Sequence, residues 1–112
     1  MQNKYNAKKV ILDGYTFDSR RETQRYEELK LMEKAGDIRD LAVHPVIKLQ
    51  PSFVYCSETI REITYEADFG YWEDGVQVYE DVKGCETQVF KLKWKMLLYQ
   101  FVNQNIRIRK VR

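Results

Sequence analysis

The sequence predicts an α+β (α/β) fold in which helices pack on a small mixed sheet. Three observations carry this. Two Asp-Gly pairs, Asp13-Gly14 and Asp74-Gly75, each sit between β-prone runs, a strong short hairpin signal. Two helix-prone runs each follow a capping residue, Ser19 and Thr87. The element order that results is hairpin, helix, three strands, helix, strand, and its αβββαβ part suits one sheet flanked by helices.

Lys9–Leu12 and Tyr15–Phe17 form the first hairpin, within an N-terminal extension over residues 1–18. Ser19-Arg-Arg-Glu22 has capping-box spacing and opens a helix that runs to Ala35, with Gly36 as a natural C′ residue. Leu41–Leu49 reads as a strand interrupted by Pro45, hence bulged or at an edge. Pro51–Arg61 reads as a loop. Glu62–Trp72 alternates, with Ile63, Tyr65, Ala67, Phe69 and Tyr71 on one face. Asp74-Gly75 then turns the chain into Val76–Lys83. Thr87 caps a helix to about Val102 that is apolar on most sides and expected to be largely buried. After a turn at Asn103–Asn105, Ile106–Val111 forms the last strand, with Ile106, Ile108 and Lys110 opposite Arg107, Arg109 and Val111. The helix between two strands allows a right-handed crossover.

The 112 residues suffice for a single domain. The 44% apolar content and 15 aromatic residues argue against disorder. No run approaches the roughly 18 apolar residues of a membrane span, and the N-terminus has no apolar h-region. Cys56 and Cys85 form no CxxC and no disulfide framework, which suggests a reduced, cytosolic setting. Net charge is +2 but unevenly spread. Residues 89–112 hold seven Lys or Arg and no Asp or Glu, whereas residues 1–88 hold 12 basic and 17 acidic residues. Such a one-signed segment favours phosphate contacts, or serves as a solvated helix face and a protected edge strand.

The second hairpin is the most informative element. A turn centred on Asp74-Gly75 pairs residues whose numbers sum to 149, so Asp68 faces Asp81 and Glu66 faces Lys83. These four side chains then project from one side of the sheet. Two directly opposed carboxylates repel, so something should compensate, and a hard divalent cation with oxygen ligands is the obvious candidate. A solvated acidic strand face, or a three-residue turn that shifts the register, would account for the same residues without a metal. Glu22 is a third carboxylate. It is the N3 member of the Ser19 capping box, and it also heads the apolar stripe of Tyr26 and Leu29, from which it can reach a site at the sheet. Both roles can hold together. Arg20, Arg21 and Arg25 nearby can neutralise Glu22 or contact phosphates.

Asp68, followed by Asp81-Val82-Lys83, with a helical glutamate before and a helix after, resembles the PD-(D/E)xK nuclease signature. More closely, the chain resembles a family of short phage and prophage proteins assigned to that superfamily and long described as of unknown function. The matching stretches are Lys4–Lys9, Asp13-Gly14, Phe17–Glu22, the Tyr26-x-x-Leu29 helix, Ile63–Phe69 and Glu80–Gly84. Wider relatives with the S-x-x-E helix include phage endonuclease I, which resolves branched DNA. The resemblance implies a restriction-endonuclease-like αβββαβ core with a mixed four-stranded sheet. It also implies a Mg²⁺- or Mn²⁺-dependent DNA endonuclease, selective for Holliday junctions or other branched DNA, in the bacterial host cytoplasm. Glu22, Asp68, Asp81 and Lys83 would be the catalytic residues. Asp68, Asp81, the Val82 carbonyl and Glu22 would hold the metal. Lys83 would orient or deprotonate the attacking water, or stabilise the transition state. The proline of the motif is absent, since Ala67 precedes Asp68; Glu80 points to the opposite face and has the wrong spacing to replace Asp81.

Arg20, Arg21, Lys91, Lys93 and Lys95 are candidates for DNA backbone contacts, together with the Arg107–Arg112 segment; surface solubility is the plain alternative for each. Cutting two strands suggests a homodimer, for which the 1–18 hairpin is a plausible element. The other class of function is a non-catalytic DNA- or protein-binding module on the same fold. His44 has no catalytic partner at a useful spacing. Cys56 and Cys85 are expected to be inert, and Trp72, Trp94, Tyr71 and Tyr79 to be packing residues.

Overall fold

At both Asp-Gly pairs two successive residues take positive φ, 53° and 81° at Asp13 and Gly14, 52° and 77° at Asp74 and Gly75. This two-residue turn matches the right-handed twist of its flanking strands and so closes tight hairpins. The computed structural model describes residues 9–84 and 86–112. Cys85, and most of the Lys4–Lys9 match, lie outside the described residues.

The first hairpin is β1 (Val10–Leu12) and β2 (Tyr15–Phe17). Helix α1 spans Arg20–Ala35, with Gly36 at φ 85° closing its C-terminus. Strands β3 (Arg39–Val43) and β4 (Val46–Gln50) follow, then β5 (Phe53–Tyr55), β6 (Glu58–Ile60), β7 (Ile63–Glu66), β8 (Phe69–Glu73) and β9 (Val76–Val82). Helix α2 (Gln88–Phe101) crosses to β10 (Ile106–Val111). The main sheet is four-stranded and mixed, in the order β10-β9-β8-β3. β10 runs parallel to β9, and the other neighbours are antiparallel. The protein is thus a mixed α+β fold with two helices. No helix is long and apolar enough to cross a membrane.

The segment 51–61 is not a loop. β5 and β6 pair as a third tight hairpin around Cys56 and Ser57, at φ 50° and 66°. The turn geometry matches that of the Asp-Gly pairs, but L-residues other than Asn and Asp seldom adopt it, so the residue types carry no signal.

The two strands broken in the middle matter most for the site. β3 gives way to β4 at His44-Pro45, and β7 to β8 at Ala67-Asp68. The breaks lie opposite each other and stay joined, His44 N–H donating to Asp68 O (3.0 Å) and Ala67 N–H to Pro45 O (3.0 Å). The β4–β7 pair therefore continues β3–β8 around a bend. The alternating series expected on one face is split there. Tyr65 and Ala67 join the core under α2, while Phe69 and Tyr71 join the core under α1. The β8–β9 ladder has the expected register but ends at Phe69–Glu80. Glu66 consequently does not face Lys83; it pairs with Val46.

The two cores lie on opposite faces of the sheet. Tyr26 and Leu29 of α1 pack with Phe17, Phe69, Tyr71 and Val78. Phe90, Leu97 and Phe101 of α2 pack with Ile47, Tyr65 and Ala67. The expectation that α2 is largely buried fails. Val89 is 62% exposed and Tyr99 85%, and Leu92, Leu98 and Val102 are exposed too. A helix buries only the stripe that faces a neighbour, and among the described residues nothing covers the outer side of α2.

Candidate active site

Glu22 is delivered by the cap of α1. Ser19 is extended at φ −155°, and its hydroxyl accepts the Glu22 N–H at 3.2 Å. The capping fixes where the first turn begins and so where the Glu22 side chain points. Ser19→Ala should cost about 1 kcal/mol in urea unfolding.

Asp68 and Asp81 meet where the β8–β9 ladder stops. There the carboxylates take over the pairing: Asp68 N–H donates to Asp81 Oδ1 (3.2 Å), and Val82 N–H donates to Asp68 Oδ2 (2.7 Å). The Tyr65 hydroxyl donates to Asp81 Oδ2. Lys83 Nζ stands 3.8 Å from Asp81 Oδ1 and 4.0 Å above the centre of the Phe90 ring. Asp81 is 1% exposed and Glu22 8%.

Burial and crowding of like charge set the electrostatics. The Asp68 carboxyl is pushed up to about 7, first by burial and next by the Glu22 charge. Glu22 is raised by burial, then by Asp18, with Asp81 adding to it and Lys83 opposing. Asp81 is raised by burial, although Tyr65, Lys83 and the Asp68 N–H all favour its charged form. Glu22 Oε1 is buried without a hydrogen-bond partner, an expensive arrangement for a carboxylate oxygen.

Glu22, Asp68, Asp81 and Lys83 thus come together: Asp68 feels the charges of the other three, and Glu22 those of Asp81 and Lys83. A hard divalent cation fits the chemistry of this donor set, which consists of carboxylate oxygens and includes an unpaired buried one. The set is not drawn into a closed cage. No group of three or more His, Cys, Asp or Glu among the described residues is arranged to hold a metal as it stands. Asp81 Oδ2 is turned to Tyr65 and Asp68 Oδ2 to the Val82 N–H.

The basic candidates separate. Arg20 is exposed at the start of α1, and Lys91 and Lys95 are exposed on α2. Lys93 is instead half-buried and donates to Thr64 O at 2.8 Å, tying α2 to β7. Arg21 donates twice to the Arg112 carbonyl, at 3.0 and 2.7 Å. Arg25 serves instead the core under its own helix α1, where it grips Glu80.

Two residues at the site escape sequence reading. Tyr65 belongs to an apolar alternation and reads as packing, so its hydroxyl contact with Asp81 gives no signal. Lys110 sits beside Asp81 across the parallel β9–β10 register, with Nζ 4.9 Å from the Trp94 ring centre and 3.2 Å from Glu86. That pairing depends on a long-range register that spacing does not reveal. A cleft of about 700 Å³ lies elsewhere, lined by Glu73, Val76, Leu98 and Arg107 among others, and none of the four site residues reaches it.

Fold and site together define an α+β domain with three carboxylates and a lysine gathered at one end of its sheet. A family model described as protein of unknown function (DUF1064) matches residues 2–112. The chain belongs to that family. No curated protein matches it.

Proposed function

We propose that this protein is a metal-dependent DNA endonuclease of the PD-(D/E)xK type, selective for branched DNA such as Holliday junctions and used in phage recombination or replication. The observation that carries the reading is the unpaired, buried Glu22 Oε1 beside an Asp68 carboxyl pushed up to about 7. A bound cation would answer both the unpaired oxygen and the crowding of like charge that raises Asp68. The order α1, β3, β8, β9, α2, β10 around one mixed sheet supports a restriction-endonuclease-like core.

A bound Mg²⁺ or Mn²⁺ supplies Lewis acidity, neutralising charge on the phosphate and lowering the pKa of water. Glu22, Asp68, Asp81 and the Val82 carbonyl would hold it. Lys83 serves as the ammonium that meets a phosphate oxygen as charge builds on it. Its seat over Phe90 and beside Asp81 limits where that charge can go. Arg20, Lys91 and Lys95 are free to contact the DNA backbone, a role that Lys93 and Arg21 could take up only by leaving their present partners. Each chain carries one such cluster, so cutting both strands calls for a second copy.

The test is a cleavage assay on a labelled four-way junction beside linear duplex, with Mg²⁺, with Mn²⁺ and with chelator. Metal-dependent nicking is expected, with the junction preferred. Lys83→Ala should lower the rate about 100-fold or more. Undiminished cleavage by Lys83→Ala would reject the site. Salt-sensitive DNA binding with no cleavage under any metal would favour the binding-module reading.

A further inference from the structure

Asp81 is a short side chain whose terminal torsion has a broad, two-fold preference, so its carboxylate plane is fixed only by what bonds to it. Two donors do so here. The Asp68 N–H reaches Oδ1 at 3.2 Å, a long contact, and the Tyr65 hydroxyl holds Oδ2. Tyr65 is itself held firmly. It is 6% exposed, and its ring lies 6.2 Å from that of Phe90, the same ring that supports Lys83 at 4.0 Å. A phenol ordinarily keeps its proton at neutral pH, so the hydroxyl is the donor in this bond. With Oδ2 taken, Oδ1 is the oxygen left on the side of Lys83 Nζ. Oδ1 has a second acceptor direction beyond the Asp68 N–H, so it can meet a cation without losing that bond.

Resting on the nuclease reading, we propose that Tyr65 is the positioning residue of the site, its hydroxyl anchoring Asp81 Oδ2 so that Oδ1 is presented to the divalent cation alongside Asp68 and Glu22. Outer partners of this kind orient a ligand and pre-empt its alternative rotamers, and their loss commonly weakens metal binding 10- to 100-fold. The ring of Tyr65 serves the core under α2, but the hydroxyl serves the site.

The two roles separate in Tyr65→Phe, which keeps the ring and deletes the donor. Mn²⁺ binding to the full chain is measured at pH 7.5 by the loss of the free-ion electron paramagnetic resonance signal, with no DNA present. Binding by Tyr65→Phe is expected to be about 10- to 100-fold weaker than wild type, at a temperature where both are folded by circular dichroism. Asp81→Asn should weaken binding as well, and adding Tyr65→Phe to Asp81→Asn should change little more, because the hydroxyl acts through that carboxylate. A lower melting temperature with unchanged Mn²⁺ affinity would make Tyr65 a packing residue and overturn the inference. A full further loss in the double variant would also overturn it, since the hydroxyl would then act elsewhere. No Mn²⁺ binding by the wild type would overturn the nuclease reading along with it, whereas tight wild-type binding that Tyr65→Phe does not alter would sink this inference alone.

Discussion

Asp68→Asn is expected to abolish metal-dependent cleavage and, at the same time, to make the protein more stable at pH 8. The carboxyl of Asp68 is held near 7 by burial and by Glu22, against an ordinary value near 4. A group whose folded pKa is raised favours the folded state while it keeps its proton. That contribution is lost as pH rises through about 7, where the protein must carry a buried, crowded charge. Asparagine removes the charge. Its carbonyl can still accept the Val82 N–H. The gain should be about 1 to 2 kcal/mol at pH 8, a rise of roughly 4 °C or more in melting temperature, and should shrink towards pH 4. Mg²⁺ should restore much of the difference in the wild type but not in the variant. Thermal melts across pH 4 to 8, with and without Mg²⁺, check all of this. A variant destabilised at pH 8 would show that Asp68 is there for folding and not for chemistry.

Arg25→Ala is expected to cost about 3 kcal/mol in urea unfolding, a large share of the stability of a domain this size. Glu80 is 0% exposed, in the core under α1. Arg25 donates to both of its oxygens, and the Tyr71 hydroxyl donates to Oε2 at 2.5 Å. Arg109 stands 3.9 Å from Oε2 but is nearly half exposed. Removing Arg25 strands a buried charge with one partly solvated cation to answer it. Glu80→Gln in the same chain should recover much of the loss, because it removes the charge that was stranded. If Arg25→Ala costs less than 1 kcal/mol, Arg109 alone suffices, and the cluster is no anchor between α1 and the sheet.

Most of the architecture was legible because it rests on local rules. The two Asp-Gly turns fix the register of their hairpins, and the register puts Asp68 opposite Asp81 before any long-range contact is known. The Ser19 cap places Glu22 in the first turn of α1. What stayed hidden depends on partners far along the chain. The Cys56-Ser57 turn uses residues with no turn signature. The α2 helix is apolar on most sides, and composition could not say that one of its apolar faces would stand open. The bend at Ala67-Asp68 is joined to a break at His44-Pro45 on the neighbouring strand, which alternation does not reveal, so alternation alone carried Tyr65 and Tyr71 to one core when they serve two. Arg25 illustrates the same limit. Its proximity to Glu22 in sequence suggested a shared site, yet its side chain crosses to Glu80, 55 positions later.

The bend has a structural consequence. The ribbon of β4 and β7 leaves the main sheet at the point where Asp68 stands, and the His44 N–H is fastened to the Asp68 carbonyl. Asp81 rides on β9, inside the sheet between β8 and β10. Asp68 is thus tied to the ribbon through its carbonyl and to β9 through Asp81 and Val82, so one residue both closes the bend and joins the acids.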